Sequence, residues 1–260
     1  MDEDRTEREA EEAAIQALRP VHIDGHVVLR PAQESSRTVH AFLGYLRGQG
    51  LGCVPEPLGI AGDTETLGFI EGADGGDGWY HQHTETGLRS AARLLRRIHD
   101  ASTGWVPPND ALWGSPPLPG DDLVFCHGDP GPWNFVWHDN EAAALIDWDF
   151  LHPAPRLDDV AYSLRWFAPA RNDAHALDWH HFPEVPDRSA RIVSFLEAYG
   201  PLPDFDVVEA IAARAEATMR HERALADRGI EPQRTWVEQG SLEAQADEVS
   251  WIRANGHLLR

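Results

Sequence analysis

Two short motifs in the middle of the chain contain residues that can do chemistry. The first is His127-Gly-Asp129 followed by Asn134, and the second is Asp147-Trp-Asp149. An amide oxygen, a carboxylate and water suit Mg²⁺, a hard cation that prefers oxygen ligands. The remaining carboxylate, that of Asp129, can accept a proton from a hydroxyl group or orient that group as a nucleophile. The spacing therefore predicts a magnesium site beside a general base.

Strands are predicted to end at these motifs. A strand over residues 122–126 ends just before His127, and strands over 135–137 and 142–146 lead to Asp147. Polar side chains at neighbouring strand ends can converge. The order of elements therefore favours one shared site over separate surface carboxylates.

The first part of the chain, residues 1–70, predicts a small β-rich lobe. Residues 21–30 form a predicted hairpin, and residues 57–62 and 65–70 form a second pair of strands. A helix predicted over residues 6–18 precedes them, because its start has capping-box spacing.

Residues 71–78 are rich in Gly and Asp and predict a linker. Residues 79–260 are predicted to form a larger lobe that is mainly helical, because apolar residues recur there at helical spacing. The predicted helices cover residues 84–99, 157–167, 188–199, 206–227 and 237–259. The predicted fold is α+β with two lobes, a small antiparallel β-rich one and a mainly helical one.

The net charge of the chain, −21, restricts its partners. Binding to nucleic acid or to an anionic membrane relies on basic groups, so neither partner is expected. A cationic small molecule is compatible with this charge. All 22 basic residues are arginine, so chemistry that needs a lysine amine is excluded or must use arginine.

The two cysteines, Cys53 and Cys126, lie in apolar stretches and predict free thiols in a reducing compartment. No apolar run approaches the roughly 20 residues that cross a bilayer, and the acidic start of the chain is unlike a signal peptide. These features predict a cytoplasmic protein. No surface signal in the sequence argues for an obligate oligomer, so a monomer or a weak homodimer is expected.

The sequence resembles the aminoglycoside phosphotransferase family, which has a protein-kinase-like fold. The motifs behind the resemblance are His127-Gly128-Asp129 with Asn134, Ile146-Asp147-Trp148-Asp149, and Asp159-Val160-Ala161. Protein kinases have the same Asp-to-Asn spacing in their catalytic loop. The match is strongest over residues 123–167 and continues back to Val27.

The resemblance implies a role for each motif residue. Asp129 would be the catalytic base, and His127 would brace the catalytic loop. Asn134 and Asp147 would hold the Mg²⁺ ions that bridge the phosphates of ATP or GTP, and Asp149 would assist near the metal.

The resemblance also implies a nucleotide site in the first lobe. Arg30 stands where the family has a phosphate-binding lysine, and Glu34 is the nearest candidate for its acidic partner. Phe69, Ile70 and Glu71 match the hinge that contacts the nucleotide. Arginine keeps the positive charge but differs from lysine in reach and geometry, and a glycine-rich phosphate loop is missing.

The expected function is transfer of a γ-phosphoryl group to a hydroxyl of a small molecule. The acidity of the chain favours a cationic acceptor such as an aminoglycoside or a related antibiotic, contacted by Trp166, Glu238 and Asp247.

Two alternatives stay open. A catalytically impaired kinase-like protein could bind or sequester a small molecule in an immunity role. A metal-dependent hydrolase could use His127, Asp129 and Asp147, although Asn134 and the two-lobe organisation count against it.

Overall fold

An antiparallel sheet of four short strands forms the smaller lobe. In the computed structural model, which describes residues 20–260, the strands follow the order β1-β2-β4-β3. They are β1 (His22–Asp24), β2 (Val27–Pro31), β3 (Pro57–Ala61) and β4 (Thr64–Gly68). Both predicted strand pairs are present. The predicted helix over residues 6–18 lies outside the described residues.

One helix, α1 (Ser36–Gly48), connects β2 to β3. Its apolar residues lie on one face and are buried in the main core. This face anchors the small lobe to the rest of the molecule, because the same core includes residues of the larger lobe.

The Gly- and Asp-rich segment, predicted as a hinge or linker, packs closely against the larger lobe. It contains a helical turn, α2 (Gly75–Gly78), and Ala73 forms a bridge with Trp137. A Cβ atom on Gly78 would lie 2.5 Å from the carbonyl oxygen of Pro132. Glycine therefore permits a close backbone approach between this segment and the larger lobe.

Two short antiparallel ladders lie at the centre of the larger lobe. One pairs β5 (Leu123–Cys126) with β8 (His152–Pro155), and the other pairs β6 (Phe135–His138) with β7 (Glu141–Leu145). The sequence predicted three of these strands. It missed β8, since two prolines in four residues are atypical of a strand.

Helices surround the two ladders. They are α3 (Glu85–Ser102), α4 (Leu157–Phe167), α5 (Asp173–Asp178), α6 (Arg188–Tyr199), α7 (Val207–Asp227), α8 (Gln233–Glu238) and α9 (Ser241–Ala254). The prediction of one helix over residues 237–259 is wrong. Gly240 has φ +91° and separates α8 from α9, because a left-handed residue ends the hydrogen-bonding pattern of a helix.

The observed architecture confirms the α+β prediction. The prediction of free thiols is confirmed too, since Cys53 and Cys126 are both buried and unpaired. Among the described helices, none combines the length and apolarity needed to cross a membrane.

Gly78→Ala should lower the free energy of unfolding by about 1–3 kcal/mol, because the added methyl group would collide with backbone at Pro132. Gly48→Ala is the matched control, since open space surrounds that position near the end of α1, and it should be neutral or slightly stabilising. Urea unfolding of both variants measures the difference. Equal effects would show that the segment is not tightly packed at Gly78.

Candidate functional site

Asp129 lies in the wall of a large cavity, of about 1550 Å³. Its Oδ2 accepts hydrogen bonds from Asn134 Nδ2 (2.9 Å) and Trp133 Nε1 (3.5 Å), and its Oδ1 accepts one from the Tyr162 hydroxyl. Burial raises the pKa of Asp129 to about 7, and the charge of Asp147 acts in the same direction, whereas the hydrogen bond from Tyr162 opposes the shift. The carboxylate is therefore poised to exchange a proton near neutral pH.

Asp159, in the first turn of α4, holds the loop that presents Asp129. Its carboxylate accepts hydrogen bonds from the backbone amides of His127 (2.6 Å) and Gly128 (2.8 Å) and from His99 Nε2 (3.0 Å). Burial alone would raise the pKa of Asp159, but the hydrogen bond from His99 and its other partners hold it well below its usual range. The carboxylate stays ionised and ties the loop to the helix.

His127 braces the same loop from inside the protein. It is fully buried, its Nε2 donates to the carbonyl of Ile146 (2.7 Å), and its Nδ1 accepts from the amide of Asp129 (3.2 Å). Burial lowers the pKa of His127, so the ring is neutral and spans the two motifs. It does not line the cavity within the described part of the chain, which fits bracing and not direct participation.

Arg214, on α7, holds the loop that presents Asp129 although it lies 86 residues further along the chain than Gly128. Its Nη2 donates to the carbonyl of Gly128 (2.6 Å), and its guanidinium forms an ion pair with Asp158 at 3.0 Å. Gly128 itself has φ +87°, and a Cβ atom there would lie 2.6 Å from the carbonyl oxygen of Phe150. Sequence reasoning missed Arg214, because nothing local to α7 marks it as different from other helical arginines.

Arg30 connects the small lobe to the second motif. It is buried, with Nε 2.8 Å from Glu65, Nη1 2.7 Å from Asp147 and Nη2 2.7 Å from Asp149. Burial alone would lower the pKa of Arg30, but the three carboxylates more than offset this and raise it.

The acidic partners of Arg30 are therefore Glu65, Asp147 and Asp149, and the suggestion of Glu34 is wrong. Glu34 is exposed and pairs with Arg228 at 3.1 Å. Glu65 lies directly opposite Arg30 in the register of β2 with β4. Only the pairing of β2 with β4 could have identified Glu65 as a partner. That pairing is not evident from the sequence, because α1 and β3 lie between the two strands along the chain.

The oxygen ligands fit a magnesium ion in part. Asn134 uses its amide nitrogen on Asp129, so its carbonyl oxygen is the atom that it can offer to a cation. Asp147 is 42% exposed at the cavity and sits in a left-handed conformation, with φ +60°. Asp149 fits less well, because its two oxygens accept from Arg30 and from Gln33.

The remaining candidate residues are placed as follows. Trp166 and Asp247 line the cavity, whereas Glu238 is exposed on α8 and does not. Among the described residues, the cavity wall also excludes Phe69, Ile70 and Glu71. Their nucleotide role stays a prediction.

Comparisons with known proteins agree with the fold and the motifs. The model of the phosphotransferase enzyme family matches residues 109–191. Trifolitoxin immunity protein from Rhizobium leguminosarum bv. trifolii is 30% identical over 182 residues, which cover 68% of each chain.

Solved structures show the same fold at low sequence identity. A protein described as an aminoglycoside phosphotransferase, from Ralstonia eutropha JMP134, has a TM-score of 0.59 at 14% identity and covers 95% of this chain and 98% of its own. The amicoumacin kinase hAmiN has a TM-score of 0.57 at 13% identity, covering 96% of this chain and 93% of its own. These likenesses confirm the protein-kinase-like fold.

Asp159→Ala should lower the free energy of unfolding by about 3–5 kcal/mol, since it leaves two buried amides and His99 without their acceptor. The difference in unfolding free energy between wild type and variant should shrink below about pH 4. The pKa of Asp159 is lower in the folded protein than in the unfolded chain, so its stabilising contribution is complete above the unfolded pKa and is lost as the pH falls toward the folded pKa. Chemical denaturation measures it, with Asp110→Ala on an exposed loop as control. Equal losses in both variants would contradict the loop-holding role.

Asp129→Asn should change how stability depends on pH. The raised pKa of Asp129, about 7, means that the folded state releases this proton at higher pH than the unfolded state, so its contribution to stability falls from about pH 4 to pH 7. The variant does not titrate there. Its melting temperature relative to wild type should therefore be higher at about pH 8 than at about pH 5, and a constant difference would contradict the shifted pKa.

Proposed function

This chain belongs to the phosphotransferase enzyme family, and we propose that it transfers the γ-phosphoryl group of ATP or GTP to a hydroxyl group of a small molecule. The observation that supports this most directly is the convergence of Asp129, Asn134 and Asp147 on one cavity. A general base and two oxygen ligands at that spacing are the groups that phosphoryl transfer needs. We place the reaction in the cytoplasm.

Asp129 is the proposed base. The acceptor oxygen forms a bond to the γ-phosphorus while the bond from that phosphorus to the β–γ bridging oxygen breaks, and the nucleoside diphosphate leaves. The hydroxyl proton passes to the Asp129 carboxylate. Its Oδ1 holds the Tyr162 hydroxyl in the structure, and an acceptor hydroxyl would donate to the same oxygen.

Asn134 and Asp147 would hold Mg²⁺, which neutralises phosphate charge when bound. Arg30 would fix the orientation of Asp147 through its 2.7 Å ion pair and bring a further positive charge to the phosphate end of the cavity. Asp149 would act through Arg30, which it contacts at 2.7 Å. The amicoumacin kinase neighbour was solved with AMP-PNP and Ca²⁺, which supports a nucleotide here.

A second candidate function is binding without turnover. Arg30 joins Asp147 to Asp149 in one ion cluster, so a guanidinium already neutralises Asp147, the carboxylate that would meet a metal. The relative from Rhizobium leguminosarum bv. trifolii is an immunity protein. A protein that only sequesters a toxic small molecule would keep this fold and cavity.

Addition of Mg²⁺ with ATP or GTP should raise the melting temperature by about 5 °C at a hundredfold excess over the dissociation constant. Asp147→Ala should abolish the part of this shift that depends on Mg²⁺. Asp129→Asn should keep the shift but lower nucleoside diphosphate release by at least a hundredfold once an acceptor is supplied. Differential scanning fluorimetry and a diphosphate-release assay measure the two effects.

The outcomes separate the two candidates. A Mg²⁺ response that survives Asp147→Ala would contradict the metal assignment, and full turnover in Asp129→Asn would remove Asp129 from the mechanism. No response to either nucleotide, together with binding of a small molecule, would favour sequestration.

A further inference from the structure

The cavity beside Asp129 is lined by tryptophan. Six of the ten tryptophans of the chain border it: Trp79, Trp133, Trp166, Trp179, Trp236 and Trp251. Its volume of about 1550 Å³ exceeds the roughly 300–1,000 Å³ of pockets that hold drug-sized molecules. The cavity can therefore hold the phosphate end of a nucleotide and a sizeable acceptor together.

Three of these residues, Trp79, Trp133 and Trp166, form a tryptophan cluster. Their ring centroids are 5.0 Å (Trp79 to Trp133), 4.9 Å (Trp133 to Trp166) and 5.9 Å (Trp79 to Trp166) apart. All three are only half-buried. Trp133 also donates to Asp129 at 3.5 Å, so the cluster lies directly beside the proposed base.

The cavity wall is far closer to electrical neutrality than the chain as a whole. The net charge of the chain is −21, yet in the described structure seven carboxylates and five arginines line the cavity. Most of these carboxylates are neutralised by ion pairs. Arg165 and Arg171 bind the two oxygens of Glu248 at 2.7 and 2.6 Å, and Arg214 lies 3.0 Å from Asp158.

Two arginines also occupy the position that a ligand cation would favour on the cluster. The guanidinium groups of Arg165 and Arg171 lie 4.6 and 4.5 Å from the centre of the Trp166 ring. A cation is attracted to the face of a tryptophan at such distances. A ligand ammonium at this ring would therefore meet two positive groups and be repelled.

We propose that the acceptor is a hydroxyl compound built around flat apolar rings with at most one charge, which packs against the tryptophan cluster. It is not a polycation of the kind that the net charge alone favoured. Rings match the half-buried indoles that border the cavity, and the pairing of most wall carboxylates with arginines leaves little net attraction for several ammonium groups. This inference rests on the proposed function, because it treats the cavity beside Asp129 as the acceptor site.

Three probes test the class of ligand on the intact protein. 1-Anilinonaphthalene-8-sulfonate and N-phenyl-1-naphthylamine share one ring system and differ in a sulfonate, and kanamycin is a polycation without aromatic rings. Both ring probes should bind saturably, with energy transfer from tryptophan, and a hundredfold excess of kanamycin should not displace them. This comparison needs no variant, so it stands even where a substitution disturbs folding.

Trp166→Leu should weaken both ring probes about tenfold, the scale of one lost aromatic contact. Trp113→Leu is the matched control, because Trp113 is also half-buried but does not line the cavity, and it should change affinity by less than about twofold. Circular dichroism verifies that both variants are folded.

Each outcome decides the proposal. Displacement by kanamycin, absence of probe binding, or equal losses in the two variants would overturn the ring-binding assignment. Phosphorylation of kanamycin would overturn it while leaving the proposed phosphoryl transfer intact. Probe binding without any Mg²⁺-nucleotide response would support the ligand class and count against phosphoryl transfer.

Discussion

A single buried guanidinium connects the two lobes of this protein at the site. Arg30, on a strand of the small sheet, binds Glu65 beside it and both carboxylates of the second motif, Asp147 and Asp149. Removing one partner from a buried ion cluster costs several kcal/mol, because the remaining charge is left without compensation. The planar guanidinium also fixes the directions in which its three carboxylate partners lie, which a lysine ammonium would not do. The position of Asp147 relative to the base therefore depends on the sheet that holds Arg30.

The site contains two aspartates whose environments move their pKa values in opposite directions. Asp159 is surrounded by donors and stays ionised, so it serves as an anchor for backbone amides. Asp129 is buried at the cavity wall, and burial raises its pKa to about 7. Opposite shifts of this kind separate a structural carboxylate from one suited to proton transfer. The surrounding protein thus sets both the position of Asp129, through the loop that Asp159 holds, and its pKa, through burial.

The acidity of the chain is not concentrated where the chemistry would occur. Arginines at the cavity neutralise most of the carboxylates there, as Arg214 does for Asp158. Carboxylates such as Glu238 lie on the outer surface. The net charge of −21 therefore indicates long-range repulsion between molecules and does not predict which ligand the cavity binds. The cavity wall is aromatic and nearly neutral, because tryptophans and paired charges line it, whereas the outer surface is acidic.

The motif residues, the strands before them and the helices α4 and α6 were evident from the sequence, because their signals are local: strand ends, helical periodicity and fixed spacing between polar residues. Contacts between distant segments could not be found that way. Glu65 meets Arg30 through pairing across 35 residues, Tyr162 meets Asp129 across 33, and Arg214 reaches Gly128 across 86. The close approach of Gly78 to Pro132 likewise depends on packing between segments, which the local Gly- and Asp-rich composition does not show. Residue types and their local order gave the chemistry, whereas the tertiary structure decided which charges are paired and which aromatic rings face the cavity.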